Sequence, residues 1–325
     1  RMAELPGGEH LRAQERAILQ RLNDWAGEGD RAPAPGFAAP RSLDALAAHL
    51  DAHPDALVVA GATDAGLWVT KDLARYDHVV SLAEVAELRA ITVLDDHVEI
   101  GAAATYSDLL PVAERCWPAF ADMLKRLGSE LIRNSGTLGG NLGSASPIGD
   151  CLPVLVALDA VLVLRKGAAR REVAAEDFFL DYKKTLLEPG EFVERVRLPR
   201  LDEAVKLHVE KVSKRFDQDI SAVLAAVCLR VEDGRITRPR VAMGGMAAIP
   251  KRAPAAEAAL AGAPLDDAAF LAAAAALERD YRPLSDMRAS AAYRLDAAGA
   301  CLIKAGFAFQ NRPVRLPDTP VEVGS

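Results

Sequence analysis

Apolar positions recur every three or four residues over Glu9 to Trp25, with Leu11, Ile18, Leu19 and Leu22 near one face; this spacing predicts an amphipathic helix. The stretch Gly27 to Pro40 is rich in Gly, Pro and Ala, loses the period and reads as a linker. Ser42 is placed to cap a helix reaching about His49. The pattern then shortens. Leu57-Val58-Val59-Ala60 reads as a buried strand, His78 to Leu82 as another, and Ile91–Leu94 and His97–Ile100 flank Asp95-Asp96 as a hairpin. Thr105 heads a helix toward Glu114, and a second helix is expected from Pro118 to Leu127. Cys151 to Leu158 is short and apolar, Val161–Arg165 and Arg170–Val173 form a hairpin pattern, and Glu194–Leu198 and Val205–Val212 read as strands. From about Ser221 a third region opens with a strong hairpin signal, Val223–Val231 and Ile236–Met243 around Asp233-Gly234. Helices are predicted after it at Ala255–Ala261, Asp266–Glu278 and Ser285–Lys304. Strands followed by helices predict an α+β fold rather than a parallel α/β sheet.

Composition narrows the function classes. The chain has 325 residues, half of them hydrophobic, and a net charge of −7 from 39 basic and 46 acidic residues. Basic residues are interspersed with acidic ones and form no stripe with aromatics, which argues against nucleic-acid binding. No apolar run approaches the roughly 18 residues of a membrane helix. Arg1-Met2-Ala3-Glu4 does not spell a secretory leader, and a cytoplasmic location is expected. Cys116, Cys151, Cys228 and Cys301 are scattered and form no Cys-x-x-Cys. Iron–sulfur clusters need grouped thiolates, so none is expected on this chain, and reduced buried thiols fit a reducing compartment. His49 and His53 have the four-residue spacing of a metal pair on a helix, but Pro54 follows at once and no third ligand is near; no metal site is assigned.

Two small-residue segments carry the candidate chemistry. Arg133 to Asp150, spelled RNSGTLGGNLGSASPIGD, reads as a long loop crowded with glycine, hydroxyl and amide side chains. Glycine allows close approach of a ligand to the main chain, and successive N–H groups in such a loop make an anion-binding concavity. The spelling is neither a Walker loop, since no lysine follows the glycines, nor the Gly-x-Gly-x-x-Gly dinucleotide fingerprint. Composition alone is equally met by a surface loop of small residues. The second segment, Gly61-Ala62-Thr63-Asp64-Ala65-Gly66, follows the Val58 strand as a sharp turn with a hydroxyl and a carboxylate beside it. Together the two are suited to grip the two ends of one long cofactor.

Gly61-Ala62-Thr63-Asp64 and Thr137-Leu138-Gly139-Gly140-Asn141, with Ala145-Ser146-Pro147-Ile148-Gly149-Asp150, resemble the FAD-binding domain of molybdenum hydroxylases. The resemblance extends through the segments 182–191, 211–220 and 283–290 with Tyr293-Arg294, and covers most of the chain from about Arg41. Tyr182-Lys183-Lys184-Thr185 points to the xanthine dehydrogenase branch rather than the carbon monoxide dehydrogenase branch. Two positions depart: Ala62 stands where the family often has Gly or Asn, and Gly149 where it often has Ser or Ala.

The resemblance implies a two-lobed α+β FAD-binding domain of the molybdopterin-dehydrogenase (PCMH/VAO-like) type plus a C-terminal α+β domain of the carbon monoxide dehydrogenase flavoprotein type. It divides the chain into a connector helix and linker (1–40), an FAD-binding domain (41–215) and a C-terminal domain (216–325). It implies non-covalent FAD. Val59, Ala60, Gly61, Ala62, Thr63, Asp64 and Ala65 would run beside the pyrophosphate and adenosine half, and Gly136, Thr137, Gly140, Asn141, Gly143 and Ser144 would wrap the ribityl and phosphate part. Gly149 and Asp150 would close that loop, Asp150 being equally placed to cap the helix that starts at Cys151. Leu127, Gly128, Phe192 and Val193 would border the flavin ring; Lys211 would stabilise its reduced form, and Tyr182 would border a nicotinamide pocket. No protein side chain is expected to react, because the flavin carries the hydride. The implied enzyme is an oxidoreductase of purine catabolism with NAD as acceptor. The implied partners are a 2Fe-2S domain, upstream or on a separate chain, and a molybdopterin-binding large subunit in a hetero-oligomer. The alternatives are a stand-alone flavin oxidoreductase of this fold, the medium FAD subunit of a carbon monoxide or aldehyde enzyme, and a non-catalytic assembly subunit that has lost flavin.

Overall fold

The structure is a computed structural model that describes residues 9–27 and 34–312. The helix expected from Glu9 runs over Glu9–Gly27, and its Ile18, Leu19 and Leu22 are exposed. Of the linker expected over Gly27 to Pro40, residues 28–33 lie outside the described residues, and Phe37–Ala38 is not linker but a strand, paired with Val79 and Val80. Three strands, Phe37–Ala38, Val79–Ser81 and Leu57–Val59, form a small parallel sheet in that order. The helix Leu43–Ala52 packs beside it and is capped as expected by Ser42, whose hydroxyl accepts from the Ala45 amide.

The second sheet has five strands in the order Ile91–Val93, His97–Gly101, Phe192–Pro199, Val161–Lys166 and Ala169–Ala174, paired antiparallel. Along Phe192–Pro199, Val196 and Leu198 are fully buried while Arg195 and Arg197 alternate with them on the other face, the two-residue period of a strand. Glu99 on the neighbouring strand accepts from both arginines at 2.8 Å. Partial burial alone would push the Glu99 carboxyl up; hydrogen bonds from Arg197 and Arg195 outweigh it and hold the group below its ordinary value. Helices Tyr106–Cys116 and Pro118–Lys125 cover this sheet. Thr105 and Asp108 close a capping box at the first. Buried Trp117 donates to Pro199 O at 2.8 Å and ties the helices to the central strand.

The third sheet is antiparallel: Val205–Val212, Val223–Glu232, Arg235–Gly244 and Lys251–Arg252. Its first strand, Val205–Val212, precedes residue 215, where the division between domains was expected. One face of this sheet, through Leu224, Ala226 and Ala242, joins the core of the N-terminal part. The other face packs on helices Pro254–Leu260, Asp267–Asp280 and Ala291–Phe309. The last helix was expected from Ser285 and starts at Ala291 instead. Ser290 is its cap, and residues 286–289 are held in a turn by Asp286, which accepts from the Arg288 and Ala289 amides and from the buried Arg294. Among the described residues no helix is long and apolar enough to cross a membrane. The four cysteines are free; burial pushes the Cys228 thiol up to about 11 and the Cys301 thiol up to about 12.

His49, His53 and His78 form a stack between the C-terminal end of the helix Leu43–Ala52 and the small sheet. The His53 and His78 rings lie 4.1 Å apart at 24°, and His49 is 4.9 Å from His53. The His49 Nε2 atom is buried without a partner. Burial, then the proximity of His53 and His78, lowers the His49 pKa from 6.5. A histidine kept neutral by folding takes up its proton more readily in the unfolded chain, so its contribution to stability is complete above pH 6.5 and is lost as pH falls below it. Thermal unfolding of the chain is expected to show Tm falling between pH 7 and 5.5, before the carboxylates titrate, and His78→Gln is expected to reduce that fall. An equal slope in the variant would contradict the role given to the stack.

Candidate functional site

The first small-residue segment follows the strand Leu57–Val59 and turns into a short helix, Ala65–Thr70. Ala62 takes φ 56°, the left-handed region that glycine and asparagine tolerate best, which is the residue choice from which this chain departs. The amides of Gly61, Ala62, Thr63 and Asp64 have no acceptor among the described residues. Gly61 is half-buried and Ala62, Thr63 and Asp64 are exposed, so water can meet these amides in the free chain, and an anionic ligand would take its place.

The second segment is not the open loop expected from its glycines. It is two short helices, Glu130–Ser135 and Leu138–Ser144, joined at Gly136. Each has a hydroxyl cap: Ser129 accepts from the Ile132 amide and Thr137 from the Gly140 amide. The amides of Gly139, Gly140 and Asn141 are taken by Ala102 O, Thr137 Oγ1 and Thr137 O. The free amide row therefore belongs to the first segment, not the second. Gly139 is required by packing, because a Cβ there would lie 2.5 Å from Ala102 O.

The two segments touch. A Cβ on Gly61 would lie 1.7 Å from Ser135 O, so the backbone of one lies directly on the backbone of the other. Gly136 is closed in by Tyr106 and Ile132. Gly61 and Gly136, both expected to meet the cofactor, thus sit at the junction of the segments rather than on a cleft wall.

The junction opens onto a cleft of about 720 Å³, within the range of roughly 300–1,000 Å³ usual for cofactor sites. Val59, Ala60, Ala62, Thr63, Asp64 and Ala65 line one part of it. Leu127, Gly128, Thr137, Gly140, Asn141, Gly143, Ser144, Gly149, Asp150, Phe192, Val193 and Lys211 also line it. Phe192 and Val193 border it together, although neighbours on a regular strand face opposite ways. A register shift between Val193 and Arg195 marks a bulge there, and bulges re-aim side chains. Tyr182 is not on the cleft. It is exposed at the tip of the hairpin Phe179–Asp181 and Lys184–Thr185, with the Lys183 ammonium 5.8 Å from its ring.

Lys211 is the only basic residue on the cleft wall among the described residues. It is 4% exposed and forms a short ion pair with Asp150, which is 8% exposed. The second Asp150 oxygen accepts from Ser221 at 2.6 Å. Asp150 makes no side-chain cap at the helix Cys151–Ala157, so the capping alternative is ruled out by its engagement with Lys211 and Ser221. Arg126 fixes the strand end from the N-terminal part: it donates to Lys211 O at 2.8 Å and to Phe216 O at 2.9 Å, with its guanidinium 5.0 Å from the Phe216 ring. Sequence reasoning missed Arg126 and Ser221. It also missed Tyr106 and Glu191, which line the cleft. Burial, then Cys151 and Asp150, raises the Tyr106 phenol, which stays neutral. Glu191 is gripped by both arms of Arg171 at 2.7 Å.

The residues fit an elongated anionic, partly aromatic occupant. The Asn141 Oδ1 atom is buried with no partner, and a Cβ added at Gly143 meets nothing within 4 Å.

Two family models match the chain: the FAD-binding domain in molybdopterin dehydrogenase over residues 33–201, and the CO dehydrogenase flavoprotein C-terminal domain over 209–306. The chain is 33% identical to the xanthine dehydrogenase of Emericella nidulans over 243 residues, 70% of this chain and 18% of that protein, and so spans about a fifth of that relative's length. It is 30% identical over 248 residues to a putative xanthine dehydrogenase FAD-binding subunit of Escherichia coli, covering 75% of this chain and 85% of that one. It superposes with a TM-score of 0.81 and 30% identity on a chain of the carbon monoxide dehydrogenase of Hydrogenophaga pseudoflava in a form lacking the Mo-pyranopterin moiety of its molybdenum cofactor. That match covers 87% of this chain and 99% of the other.

The glycines separate packing from ligand roles. Gly143→Ala, in a helix and facing open space, is expected to raise unfolding free energy by about 0.5–1 kcal/mol. Gly61→Ala, driving a Cβ into backbone, is expected to lower it by about 2 kcal/mol or more. Denaturant melts of both variants check this, and equal shifts would contradict the junction.

Proposed function

The chain belongs to the FAD-binding medium subunits of the molybdenum hydroxylase family, and on that footing we propose that it passes electrons from iron–sulfur clusters on partner sequence to NAD⁺ in a xanthine-dehydrogenase-like enzyme. The observation that carries the reading is the meeting of both small-residue segments on one cleft, with amides at Ala62, Thr63 and Asp64 that have no acceptor among the described residues and, among those residues, a single ammonium on the wall at buried Lys211. FAD, when bound, supplies the electron and hydride chemistry. The chain's residues bind and tune. The amides of the first segment meet the pyrophosphate, and Asp64, beside them, suits ribose hydroxyls rather than phosphate. The unpartnered Asn141 oxygen would accept from a hydroxyl or N–H of the ligand. Leu127, Phe192 and Val193 supply apolar walls for the ring. Lys211 places positive charge where negative charge collects on reduction.

The similarity to a fungal xanthine dehydrogenase and to a bacterial xanthine dehydrogenase FAD-binding subunit supports the xanthine type; a cytoplasmic setting and a role in purine catabolism are part of the same proposal. In this reading residues 1–40 connect to an iron–sulfur domain, 41–215 bind FAD, and 216–325 complete the cleft. The hetero-oligomer also holds a molybdopterin-binding large subunit. A second reading, the medium subunit of a carbon monoxide or aldehyde enzyme, is favoured by the near-complete superposition on the Hydrogenophaga chain.

The complex purified from its source, reduced without oxygen and mixed with NAD⁺, is expected to form NADH. Fast reoxidation by oxygen with no NADH would overturn the acceptor. A colourless complex would overturn the flavin assignment and favour an assembly subunit. Turnover of a small substrate by this chain alone would favour a stand-alone oxidoreductase.

A further inference from the structure

Lys211 does not reach the cleft alone. Its ammonium is tied to one oxygen of Asp150, whose other oxygen accepts from Ser221 at 2.6 Å. Ser221 is 2% exposed and does not line the cleft. Its place is fixed from the C-terminal part: the next residue, Ala222, donates to Val212 O at 2.8 Å, and Ala222 O accepts from buried Arg294, which is itself paired with Asp286 at 2.7 Å. A chain of contacts thus runs from residue 286 through Arg294, Ala222 and Ser221 to the carboxylate that shares, among the described residues, the only ammonium on the wall.

We propose that Ser221 is a positioning residue that sets, through Asp150, how much of the Lys211 charge is available to a ligand in the cleft. A buried carboxylate divides its negative charge among its donors. With the hydroxyl in place, Asp150 is satisfied on one oxygen and holds Lys211 with the other. Without it, one oxygen is bare in a dry site, and the carboxylate must draw more on the ammonium to compensate. Lys211 is then more fully neutralised and stabilises less of the negative charge that arrives when the bound flavin is reduced. The inference rests on the flavin reading above.

The test uses the full chain loaded with FAD, with the oxidised-state dissociation constant followed by fluorescence and the midpoint potential by dye-equilibrated reduction. Ser221→Ala is expected to lower the preference for reduced over oxidised FAD about tenfold, a fall of about 30 mV for a two-electron couple. Oxidised-state affinity is expected to stay within about twofold. Ser221→Thr is expected to restore the potential. In a Lys211→Met background, Ser221→Ala is expected to add nothing, because the effect acts through the ammonium. An unchanged potential in Ser221→Ala, or the same fall in the Lys211→Met background, would overturn the role. Failure of the unaltered chain to bind FAD would overturn the flavin reading and this one with it, and is seen before any variant is compared.

Discussion

The cleft depends on one backbone-to-backbone contact. Gly61 lies on Ser135 and Gly136 so closely that a methyl group would occupy the space of a carbonyl oxygen. This contact lets a turn from the small parallel sheet and a helix pair beside the five-stranded sheet share one wall. Among the described residues the Gly61–Asp64 amides have no acceptor, while the carbonyls of Ala62 and Asp64 accept from the Gly66 and Leu67 amides. The strained φ of Ala62 sits in the same turn, the kind of local cost that folds keep at functional sites.

The second dependence is electrostatic. Asp150 comes from the N-terminal part, Lys211 from the first strand of the C-terminal sheet and Ser221 from the connection to its second strand, so the buried pair closes the cleft only when both parts are in place. Burying a charge pair is no sure gain in stability, but losing one partner is costly. Arg126 adds a second tie across the same boundary, and Glu176 a third, accepting from Arg240 at 3.0 Å and from Arg252 at 3.1 Å. The shared hydrophobic core through Leu224, Ala226 and Ala242 makes these ties part of one packed body.

Much of the fold was legible because its signals are local. Ser42 and Thr105 cap their helices within three residues, and Asp233-Gly234 turns its hairpin directly. The glycine-rich run misled because glycine is a poor helix former. Its two helices exist through caps at Ser129 and Thr137 and through packing on Ala102, and this last contact lies far away in sequence. The last helix was expected from Ser285 and starts at Ala291 because Ser290 caps it and Asp286 holds the preceding turn through the Arg288 and Ala289 amides and Arg294. The cleft residues were found by the spelling of motifs, not by period or charge. Ser221 and Arg126 carry no such spelling: their partners are 71 and 85 residues away, and only the folded chain joins them. Tyr182 was placed by motif as well, and the hairpin that carries it turns it to solvent.

The account is tested most directly by diffraction from crystals of this chain grown with FAD. It predicts density for one dinucleotide whose pyrophosphate meets the amides of Ala62 to Asp64 and whose ring lies against Phe192 and Val193 within reach of Lys211. Density for the flavin elsewhere on the chain, or those amides turned to a protein acceptor with the cofactor present at saturation, would contradict it.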